Sequence, residues 1–288
     1  MSKLDEHLAQ IVVIRPDLQI DRVDFNQEGM INDVVTINGE YAFRFPKSDW
    51  ARQTLAQESR LIDDIRDRVT IPLPELILHG DSFASYRWLR GSPLTREYLH
   101  SLDEELRRSV LRDFGSFLRI LHGIPVSELG GVGQSEAARS RDDWISFYEQ
   151  VQEVLFPLMF VHQRRSVESL FAPIVSGSLS TQFSPVLIHG DIAPYHILVD
   201  PETTKLTGVI DFGVSGLGDP AVDISLLLYN YGASMVDEIG LTYPLTPELL
   251  DRSRFWAGTL ELQWALTGLR ENDQSLMVAH IGSFRGYT

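Results

Sequence analysis

Two aspartates placed beside short apolar segments constrain this chain more than any other feature. The apolar residues 186–188 lead into the loop His-Gly-Asp-Ile-Ala-Pro-Tyr-His, which contains Asp191. Residues 197–199 form a second apolar segment after that loop, and residues 209–210 lead into Asp211, 20 positions after Asp191. Short apolar runs bounded by loop residues are typical of buried strands. We therefore expect Asp191 at the head of a loop that leaves one strand, and Asp211 at the end of another.

The polar residues of this region suit phosphoryl transfer, which needs positioning and charge neutralisation more than covalent chemistry. One carboxylate must orient the attacking hydroxyl and accept its proton, a task that fits Asp191. Another must hold magnesium against the phosphates, a task that fits Asp211. His196 stands where kinases place an asparagine metal ligand, and imidazole binds divalent ions although magnesium prefers oxygen.

An alternative interpretation is that these acids are ordinary turn residues. Asp-Phe-Gly at residues 211–213 is weak by itself, because such a triplet arises often by chance. The His-Gly-Asp sequence, its spacing to His196 and the later Ile-Asp-Phe-Gly at residues 210–213 occur together here. That combination favours the catalytic interpretation.

Residues 186–223 resemble the core of the aminoglycoside and macrolide phosphotransferase superfamily, antibiotic kinases with a fold like that of eukaryotic protein kinases. That family reads His-Gly-Asp, then asparagine or histidine, then an aspartate ahead of Gly-Asp-Pro, which stands here at residues 218–220. Residues 41–45 and 86–91 are similar to its amino-terminal strands, and residues 118–122 to its central helix. By this resemblance, Asp191 is the catalytic base, and His196 and Asp211 are the Mg²⁺ ligands. Histidine at the second ligand position looks like the macrolide enzymes and some relatives of the 2″-aminoglycoside enzymes.

The resemblance implies a bilobal α+β fold. Residues 1–90 would form a small nucleotide-binding lobe, an antiparallel sheet with one main helix. Residues 91–288 would form a larger, mainly helical lobe that catalyses transfer and binds the acceptor.

Local patterns agree with this division. The β-branched run at residues 34–37 is followed by Asn38-Gly39, a strong hairpin signal, and by a return strand at residues 41–45 that Pro46 ends. Strands are also predicted at residues 77–80 and 85–89, and Gly91-Ser92-Pro93 is a turn or linker between the lobes. Helices are predicted at residues 51–67, 111–122, 144–160 and 247–269. Thr246 is expected to cap the last of them, and Asp219-Pro220 to cap a helix that starts at Ala221.

Kinases also need a cation on the nucleotide phosphates, held by a glutamate from a helix. Arg44 is the candidate here, in Phe-Arg-Phe-Pro where the related enzymes have Phe-Lys-Phe-Pro, and Glu58 follows 14 residues later. Arginine neutralises phosphate with a fork of donors instead of a point charge. Lys47 competes for this role, but it follows Pro46 and is expected to point to solvent. A purely structural Arg44–Glu58 ion pair is the other alternative.

Two further segments are assigned to the nucleotide. The loop at residues 27–33 holds a single glycine, Gly29, where phosphate-cradling loops carry several. Trp88, Leu89 and Arg90 follow a predicted strand, so that their backbone groups would face the purine edge of ATP or GTP. The indole of Trp88 itself is expected in the core.

The acceptor site is expected among the late helices and the segment of residues 135–181. The candidates are Asp142, Tyr231, Glu238, Glu261 and Trp264. A polyamine such as an aminoglycoside needs clustered carboxylates, whereas a macrolide needs wide apolar walls. Both kinds of residue are present, and aromatic residues at helical spacing are also typical of a core.

Bulk properties exclude several other classes. A formal net charge of −15 argues against nucleic acid as a partner, although it attracts cationic substrates if the acids cluster. No cysteine is present, which rules out disulfides and thiolate metal sites. Neither a signal-peptide pattern nor a membrane-length apolar run occurs, so a soluble cytoplasmic protein is expected. The sequence does not indicate an oligomeric state.

The sequence thus predicts an antibiotic O-phosphotransferase that uses Mg²⁺ and ATP or GTP. One alternative is a metabolite kinase of the same fold, acting on a choline-like, amino-acid or sugar substrate. Another is an inactive nucleotide-binding protein, suggested by Arg44 and by the glycine-poor loop at residues 27–33.

Overall fold

The amino-terminal part of the chain is built on one antiparallel sheet. The computed structural model describes residues 2–27, 29, 31–80, 82–135 and 137–283. Helix α1 (Lys3–Ile14) precedes the strands β1 (Val23–Asn26), β2 (Asn32–Ile37), β3 (Tyr41–Pro46), β4 (Leu76–Gly80) and β5 (Phe83–Arg87), and α2 (Asp49–Ile65) connects β3 to β4. The strands lie in the order β1-β2-β3-β5-β4, and each neighbouring pair is antiparallel.

The predicted hairpin joins β2 to β3. Asn38 and Gly39 both adopt positive φ angles, 57° and 63°, and the Glu40 N–H donates to Ile37 O at 3.0 Å. Positive φ at both central positions is the geometry of a type I′ turn, which matches the twist of paired strands. The register that follows pairs Ile37 with Tyr41 and Val34 with Arg44.

The alternation of side chains along β3 decides where Arg44 points. Phe43 and Phe45 are buried together with Ile11 of α1 on one face of the sheet. Because successive strand residues face opposite sides, Arg44 projects to the other face, where α2 packs. Helix α1 was not predicted from the sequence, and it covers the face that α2 leaves open.

The remainder of the described chain is mainly helical. Its helices are α3 (Arg96–Ser101), α4 (Glu104–His122), α5 (Arg141–Val154), α6 (Val161–Ser176), α7 (Ala221–Tyr231), α8 (Ala233–Ile239), α9 (Pro247–Arg270) and α10 (Gln274–Ser283). Its strands are short: β6 (Ser92–Pro93), β7 (Val186–Ile188), β8 (Ile197–Val199), β9 (Leu206–Val209) and β10 (Gly216–Gly218). They form one sheet in the order β6-β8-β9 and a pair β10-β7.

One aromatic cluster fixes α5 against α9. Trp144 is buried, and its ring centroid lies 4.9 Å from that of Phe255 and 4.5 Å from that of Trp256, both edge-on. Edge-to-face rings at these distances add to the free energy gained from burial. The hydrophobic core extends from these helices through α4 to the inner face of α2.

The predicted α+β fold is confirmed, with two local corrections. The helix predicted at residues 144–160 ends at Val154 and gives way to a 3₁₀ turn at Phe156–Leu158, because Pro157 lacks the N–H that a continuing helix would use. The predicted linker contains β6, in which Pro93 pairs with Leu198 as an edge strand. Thr246 caps α9 as predicted, accepting from the Leu249 N–H at 3.2 Å. Within the described residues, no helix combines the length and apolarity required to cross a bilayer.

Candidate active site

Asp191 lies on the loop that leaves β7, as predicted. His189 before it is fully buried, whereas the Asp191 side chain is 43% exposed. Between them Gly190 has φ +83°, and a Cβ there would lie 3.0 Å from Val214 O. The sharp turn at Gly190 therefore requires glycine, and it brings the aspartate out of the core.

A buried carboxylate on α7 holds this turn. Asp223 Oδ1 accepts from the Gly190 N–H at 2.8 Å, and its Oδ2 accepts from the His189 N–H at 2.9 Å. Oδ2 also lies 3.0 Å from His122 Nε2 on α4. Asp223 is completely buried, and such a charge is stable only when its hydrogen bonds are satisfied.

His189 links the turn to the strand that carries the second acid. Its Nε2 lies 3.0 Å from Ile210 O, and its Nδ1 lies 3.2 Å from the Asp191 N–H. A carbonyl only accepts and an amide N–H only donates, so Nε2 carries the proton and Nδ1 is bare. The ring is neutral in this arrangement, in agreement with burial, which lowers the pKa of His189.

His196 lies between the two aspartates. Its Nδ1 donates to the backbone carbonyl of Asp191 at 2.7 Å and lies 3.6 Å from the Asp191 carboxylate. Its Nε2 lies 3.4 Å from Asp211 Oδ2. Asp211 has φ +66°, a left-handed conformation that aspartate tolerates better than most residues. The structure therefore brings together all three residues that the sequence placed at the reaction centre.

The two carboxylates are tuned in opposite directions. Burial raises the pKa of Asp191, and the nearby His196 only partly opposes this. Burial would also raise the pKa of Asp211, but the hydrogen bond to His196 and the charge of Arg44 outweigh it and lower that pKa. Asp211 is thus the more firmly ionised acid, as a cation ligand should be, and Asp191 is the better proton acceptor.

The donor atoms fit a magnesium ion that is shared with phosphate. Burial would lower the pKa of His196, but the hydrogen bond to Asp211 and the charges of Asp211 and Asp191 outweigh it and raise that pKa, so the ring favours the protonated form here. A cation beside Asp211 would displace the Nε2 proton, and with Nδ1 still donating to the Asp191 carbonyl, Nε2 would then offer it a lone pair. The described residues contain no cluster of three acidic or histidine ligands, so they do not form an all-protein cage. Magnesium in kinases is held by one or two protein groups together with substrate phosphates and water.

Arg44 and Glu58 meet behind Asp211. Arg44 Nη1 donates to both carboxylate oxygens of Glu58 at 2.7 Å, and its Nη2 lies 3.7 Å from Asp211 Oδ1. Glu58 Oε1 also accepts from the Phe212 N–H at 3.2 Å. The predicted pair is therefore formed, and Glu58 ties α2 to the strand end that carries Asp211.

Lys47 does not point to solvent, in contrast to the prediction. Its Nζ donates to the carbonyl of Gln27 at 2.7 Å and to that of Gly29, and it lies 3.4 Å from Asp33 Oδ1. This leaves Arg44 as the cation beside Asp211. Gly29 lies in the loop between β1 and β2 as predicted, while its neighbours Glu28 and Met30 fall outside the described residues.

The segment predicted to face the purine leaves the sheet after β5. The indole of Trp88 was predicted to lie in the core. It is 44% exposed, so that prediction is wrong. Its backbone N–H donates to Glu40 O at 2.8 Å. Leu89 is partly buried, and a Cβ on Gly208 would lie 2.7 Å from its Cδ1, whereas Arg90 is exposed.

Comparison with known proteins identifies the family. Residues 23–256 match the family described as "Phosphotransferase enzyme family". The chain belongs to this family. The predicted resemblance to antibiotic kinases and the predicted enzyme class are confirmed.

Individual relatives agree with that assignment. The phosphotransferase is 26% identical to viomycin phosphotransferase of Streptomyces vinaceus over 237 residues, 77% of each chain. It is similar to the GDP and kanamycin complex of the enzyme APH(2″)-IIIa, with a TM-score of 0.84, 25% identity and 96% of each chain covered. A macrolide 2′-phosphotransferase type I shares the fold, with a TM-score of 0.77, 18% identity, and 100% of this chain and 99% of that chain covered.

The five acceptor candidates of the phosphotransferase do not lie together. Tyr231 is buried, and its hydroxyl donates to Leu94 O at 2.7 Å, so it belongs to the core. Glu238 accepts from Arg107 on α4 at 3.1 Å. Asp142 is exposed in the first turn of α5, where a negative charge stabilises the helix dipole.

Glu261, which is buried, and Trp264, which is part-exposed, are the two candidates that lie close together, both on α9. Glu261 accepts from the Tyr229 hydroxyl and lies against His280 Nδ1, both at 2.6 Å. Trp264 is 40% exposed, and its ring stacks on His280 at a centroid distance of 5.9 Å. These four residues join α7, α9 and α10, and we call them the aromatic wall.

Two hydrogen-bonded connections of the site were not predicted from the sequence. Asn230 Nδ2 donates to Ile192 O at 3.3 Å. This bond connects the end of α7, next to the aromatic wall, to the loop at residues 189–196, which carries Asp191 and which we call the catalytic loop. The role of Asp223 in holding Gly190 was not predicted either. Its position within the apolar helix sequence Ala-Val-Asp-Ile-Ser-Leu-Leu-Leu was the available signal, because an acid there needs buried partners.

Proposed function

We propose that the chain transfers the γ-phosphoryl group of ATP or GTP to a hydroxyl of an antibiotic, an aminoglycoside or a macrolide, with Asp191 as the base. The proposal rests mainly on one arrangement. Two part-exposed carboxylates, Asp191 and Asp211, flank His196, and Arg44 approaches the second of them. A base and a charge-neutralising group side by side are what phosphoryl transfer requires.

In the proposed reaction Asp191 orients the acceptor hydroxyl and takes its proton. The hydroxyl oxygen forms a bond to the γ-phosphorus while the bond to the bridging oxygen breaks, so that a nucleoside diphosphate leaves. The proton that the hydroxyl loses stays on Asp191 until solvent removes it. The hydrogen bonds of Asp223 to the turn before Asp191 keep this carboxylate in place.

We assign the nucleotide to the face of the five-stranded sheet from which Arg44 reaches Glu58 and Asp211. Arg44, held by Glu58, would neutralise the phosphates, with Gly29 above them and Trp88, Leu89 and Arg90 at the purine. Asp211 and His196 would hold Mg²⁺, which would supply charge neutralisation on the phosphate oxygens. The kanamycin complex of the similar phosphotransferase contains GDP, which supports a nucleotide donor.

The acceptor is assigned to the aromatic wall, since Asn230 joins it to the catalytic loop. Glu261 is its one carboxylate, and both of its oxygens have neighbours. A wall of this kind can hold one ammonium group and a flat or apolar surface. Relatives named for viomycin and kanamycin suggest cationic antibiotics as the first compounds to test.

We propose the lobe boundary near residue 90, with nucleotide binding before it and catalysis and acceptor binding after it. In support, the five-stranded sheet ends at Arg87, and β6 at Ser92–Pro93 already pairs with β8. A cytoplasmic location remains part of the proposal, because its cosubstrate would be an intracellular nucleotide.

The decisive experiment is a turnover panel. Purified wild type is incubated with kanamycin, viomycin or erythromycin and MgATP or MgGTP, and the diphosphate released above the no-acceptor background is measured. We expect at least one drug to be phosphorylated, and Asp191→Asn to slow the reaction by a factor on the order of 10² to 10⁴. Asp113→Asn is the matched control, since Asp113 is exposed on α4 and the charge change is the same.

The outcomes separate the alternatives. Turnover of choline, an amino acid or a sugar, and of no drug, would replace the antibiotic kinase with a metabolite kinase. Nucleotide binding with no turnover of any acceptor would indicate an inactive relative. Equal rates for wild type and Asp191→Asn would remove Asp191 from the role of base.

A further inference from the structure

Asp33, at the start of β2, gathers most of the lysines of this protein. The chain has three lysines, at positions 3, 47 and 205. Lys3 Nζ of α1 lies 2.8 Å from Asp33 Oδ2, and Lys47 Nζ lies 3.4 Å from Asp33 Oδ1. The carboxylate itself is 1% exposed as a residue, so both ammonium groups approach a buried charge.

Helix α1 supplies a second contact to the same carboxylate. His7 Nε2 lies 3.1 Å from Asp33 Oδ2. The His7 ring is also stacked on Phe45 at a centroid distance of 4.1 Å and an interplanar angle of 13°. Because the His7 ring packs against Phe45 of β3, α1 is held in a position from which both His7 and Lys3 reach Asp33.

Lys47 uses its remaining donors on the loop between β1 and β2. An ammonium group has three N–H donors, and two of them go to the carbonyls of Gln27 and Gly29. The backbone N–H of Lys47 donates to Ile31 O at 2.9 Å, so Lys47 contacts the segment between β1 and β2 near both of its ends. The Asp33 carboxylate lies beside the third donor, so the Nζ group of Lys47 is surrounded by the two loop carbonyls and this carboxylate.

We propose that Lys47 is a positioning residue for the nucleotide: it holds Gln27, Gly29 and Ile31, which lie between β1 and β2, over the phosphates, while Asp33 and α1 hold Lys47 in place. This inference rests on the proposed function, in which that loop covers the phosphates. Loops in this position have to be held in place before the nucleotide arrives, because ordering them on binding lowers affinity.

The competing explanation is that Lys47 binds phosphate directly. The two explanations differ in what α1 does. If Lys47 acted by direct contact, weakening the α1 contacts to Asp33 would leave nucleotide affinity unchanged. If Lys47 acts through the loop, the same changes loosen Asp33 and reduce affinity.

The test is calorimetric binding of MgADP and MgGDP to the full chain, which needs no acceptor. We expect Lys47→Met to weaken binding of the nucleotide that wild type prefers by about tenfold, since hydrogen bonds from a charged group are lost. Lys47→Arg should restore most of the affinity, because a guanidinium reaches the same carbonyls. Lys205→Met is the matched control, as it removes an equal charge from the exposed third lysine.

A second readout separates positioning from general stability. Hydrogen exchange at Gln27, Gly29 and Ile31 should quicken in Lys47→Met more than exchange in β5, although the melting temperature also falls because the buried Asp33 loses one of its cations. His7→Phe keeps the stacking on Phe45 but loses the contact to Asp33, and we expect a smaller loss of affinity in the same direction. Lys3→Met should behave like His7→Phe.

Two results would overturn the inference. One is equal nucleotide affinity for wild type and Lys47→Met. The other is a loss of affinity in Lys47→Met with no change in either α1 variant, which would assign Lys47 to direct phosphate contact. If wild type binds neither nucleotide, it is the proposed function that fails, and the hydrogen exchange of Gln27, Gly29 and Ile31 still tests whether Lys47 holds them.

Discussion

Asp223 Oδ1 accepts a hydrogen bond from the backbone N–H of Gly190 at 2.8 Å, one residue before Asp191. Its other oxygen accepts from the His189 N–H and faces His122. A single buried carboxylate on α7 therefore sets the direction in which the catalytic loop leaves β7. Asp223 is completely buried, so we expect any effect of this residue on catalysis to be exerted through the loop.

We expect Asp223→Asn to lower kcat more than it raises either KM. A carboxamide has only one oxygen, so it can accept from only one of the two backbone N–H groups, those of His189 and Gly190. The other N–H faces the NH₂ group, remains a buried unpaired donor, and shifts the turn. Removing one partner of a buried charged network costs about 3 kcal/mol, so urea unfolding should show a loss of that order. Steady-state kinetics would contradict the argument if kcat stayed at the wild-type value in a folded variant.

The same residue predicts how stability depends on pH. Burial would raise the pKa of Asp223, but the hydrogen bond to His122 and its charge outweigh it, so the pKa is lowered. A lowered folded pKa gives stability that is complete above the unfolded value of about 3.9 and is lost as pH falls through the folded value. Urea unfolding at pH 7 and pH 3.5 should show wild type losing more stability than Asp223→Asn. An equal loss in both proteins would mean that other carboxylates dominate acid unfolding.

Much of the candidate active site was predictable because its residues are close in sequence and lie at the ends of strands. Asp191, His196 and Asp211 occupy one loop and one strand end, so short-range pattern fixes their spacing. Arg44 and Glu58 were predictable for a related reason, because the family's strand and helix positions are matched here. The structure confirms that these two side chains meet.

The features that were missed depend on tertiary contacts. Lys47 follows a proline at a strand end and was expected in solvent, yet the buried Asp33 draws it back onto the loop. Tyr231 and Trp264 both occupy helices with apolar spacing, and only packing decides that Tyr231 is inside and Trp264 is not. Helix α1 could have been predicted from the helical spacing of Leu4, Leu8 and Ile11, which pack on the sheet. The polar residues between them made this apolar face hard to recognise in the sequence.

Two exposed tryptophans allow a crossed test of the two proposed subsites. Trp264→Ala should raise the acceptor KM roughly fivefold and leave nucleotide affinity unchanged, because one aromatic contact of about 1 kcal/mol is lost. Trp88→Ala should do the reverse. Both residues are similarly exposed, so each variant controls for general effects of the other. If both variants changed the acceptor KM, or both changed nucleotide affinity, the two subsites would be wrongly assigned.

Tyr231→Phe tests the assignment of that residue to the core. The change removes the hydroxyl that donates to Leu94 O and leaves a buried carbonyl without this partner. The free energy of unfolding should fall by about 1 kcal/mol, while acceptor KM and nucleotide affinity remain as in wild type. A raised acceptor KM without destabilisation would return Tyr231 to the acceptor site.

Arg44 and Glu58 provide the sharpest separation of a structural ion pair from a nucleotide contact. Arg44→Met alone leaves the buried Glu58 without its partner, which should destabilise the protein by about 3 kcal/mol or more. Arg44→Met with Glu58→Gln removes both charges and keeps an oxygen for the Phe212 N–H, so most of that stability should return. Nucleotide affinity should not return, because the guanidinium beside Asp211 is gone.

Calorimetric binding of MgADP and MgGDP, together with urea unfolding, decides the matter. If the pair were purely structural, the double variant would regain nucleotide affinity together with its stability. Arg44→Lys completes the series: a lysine keeps the positive charge but cannot donate from two nitrogens toward Glu58 and Asp211 at once. We therefore expect Arg44→Lys to bind nucleotide more tightly than the double variant and to remain less stable than wild type.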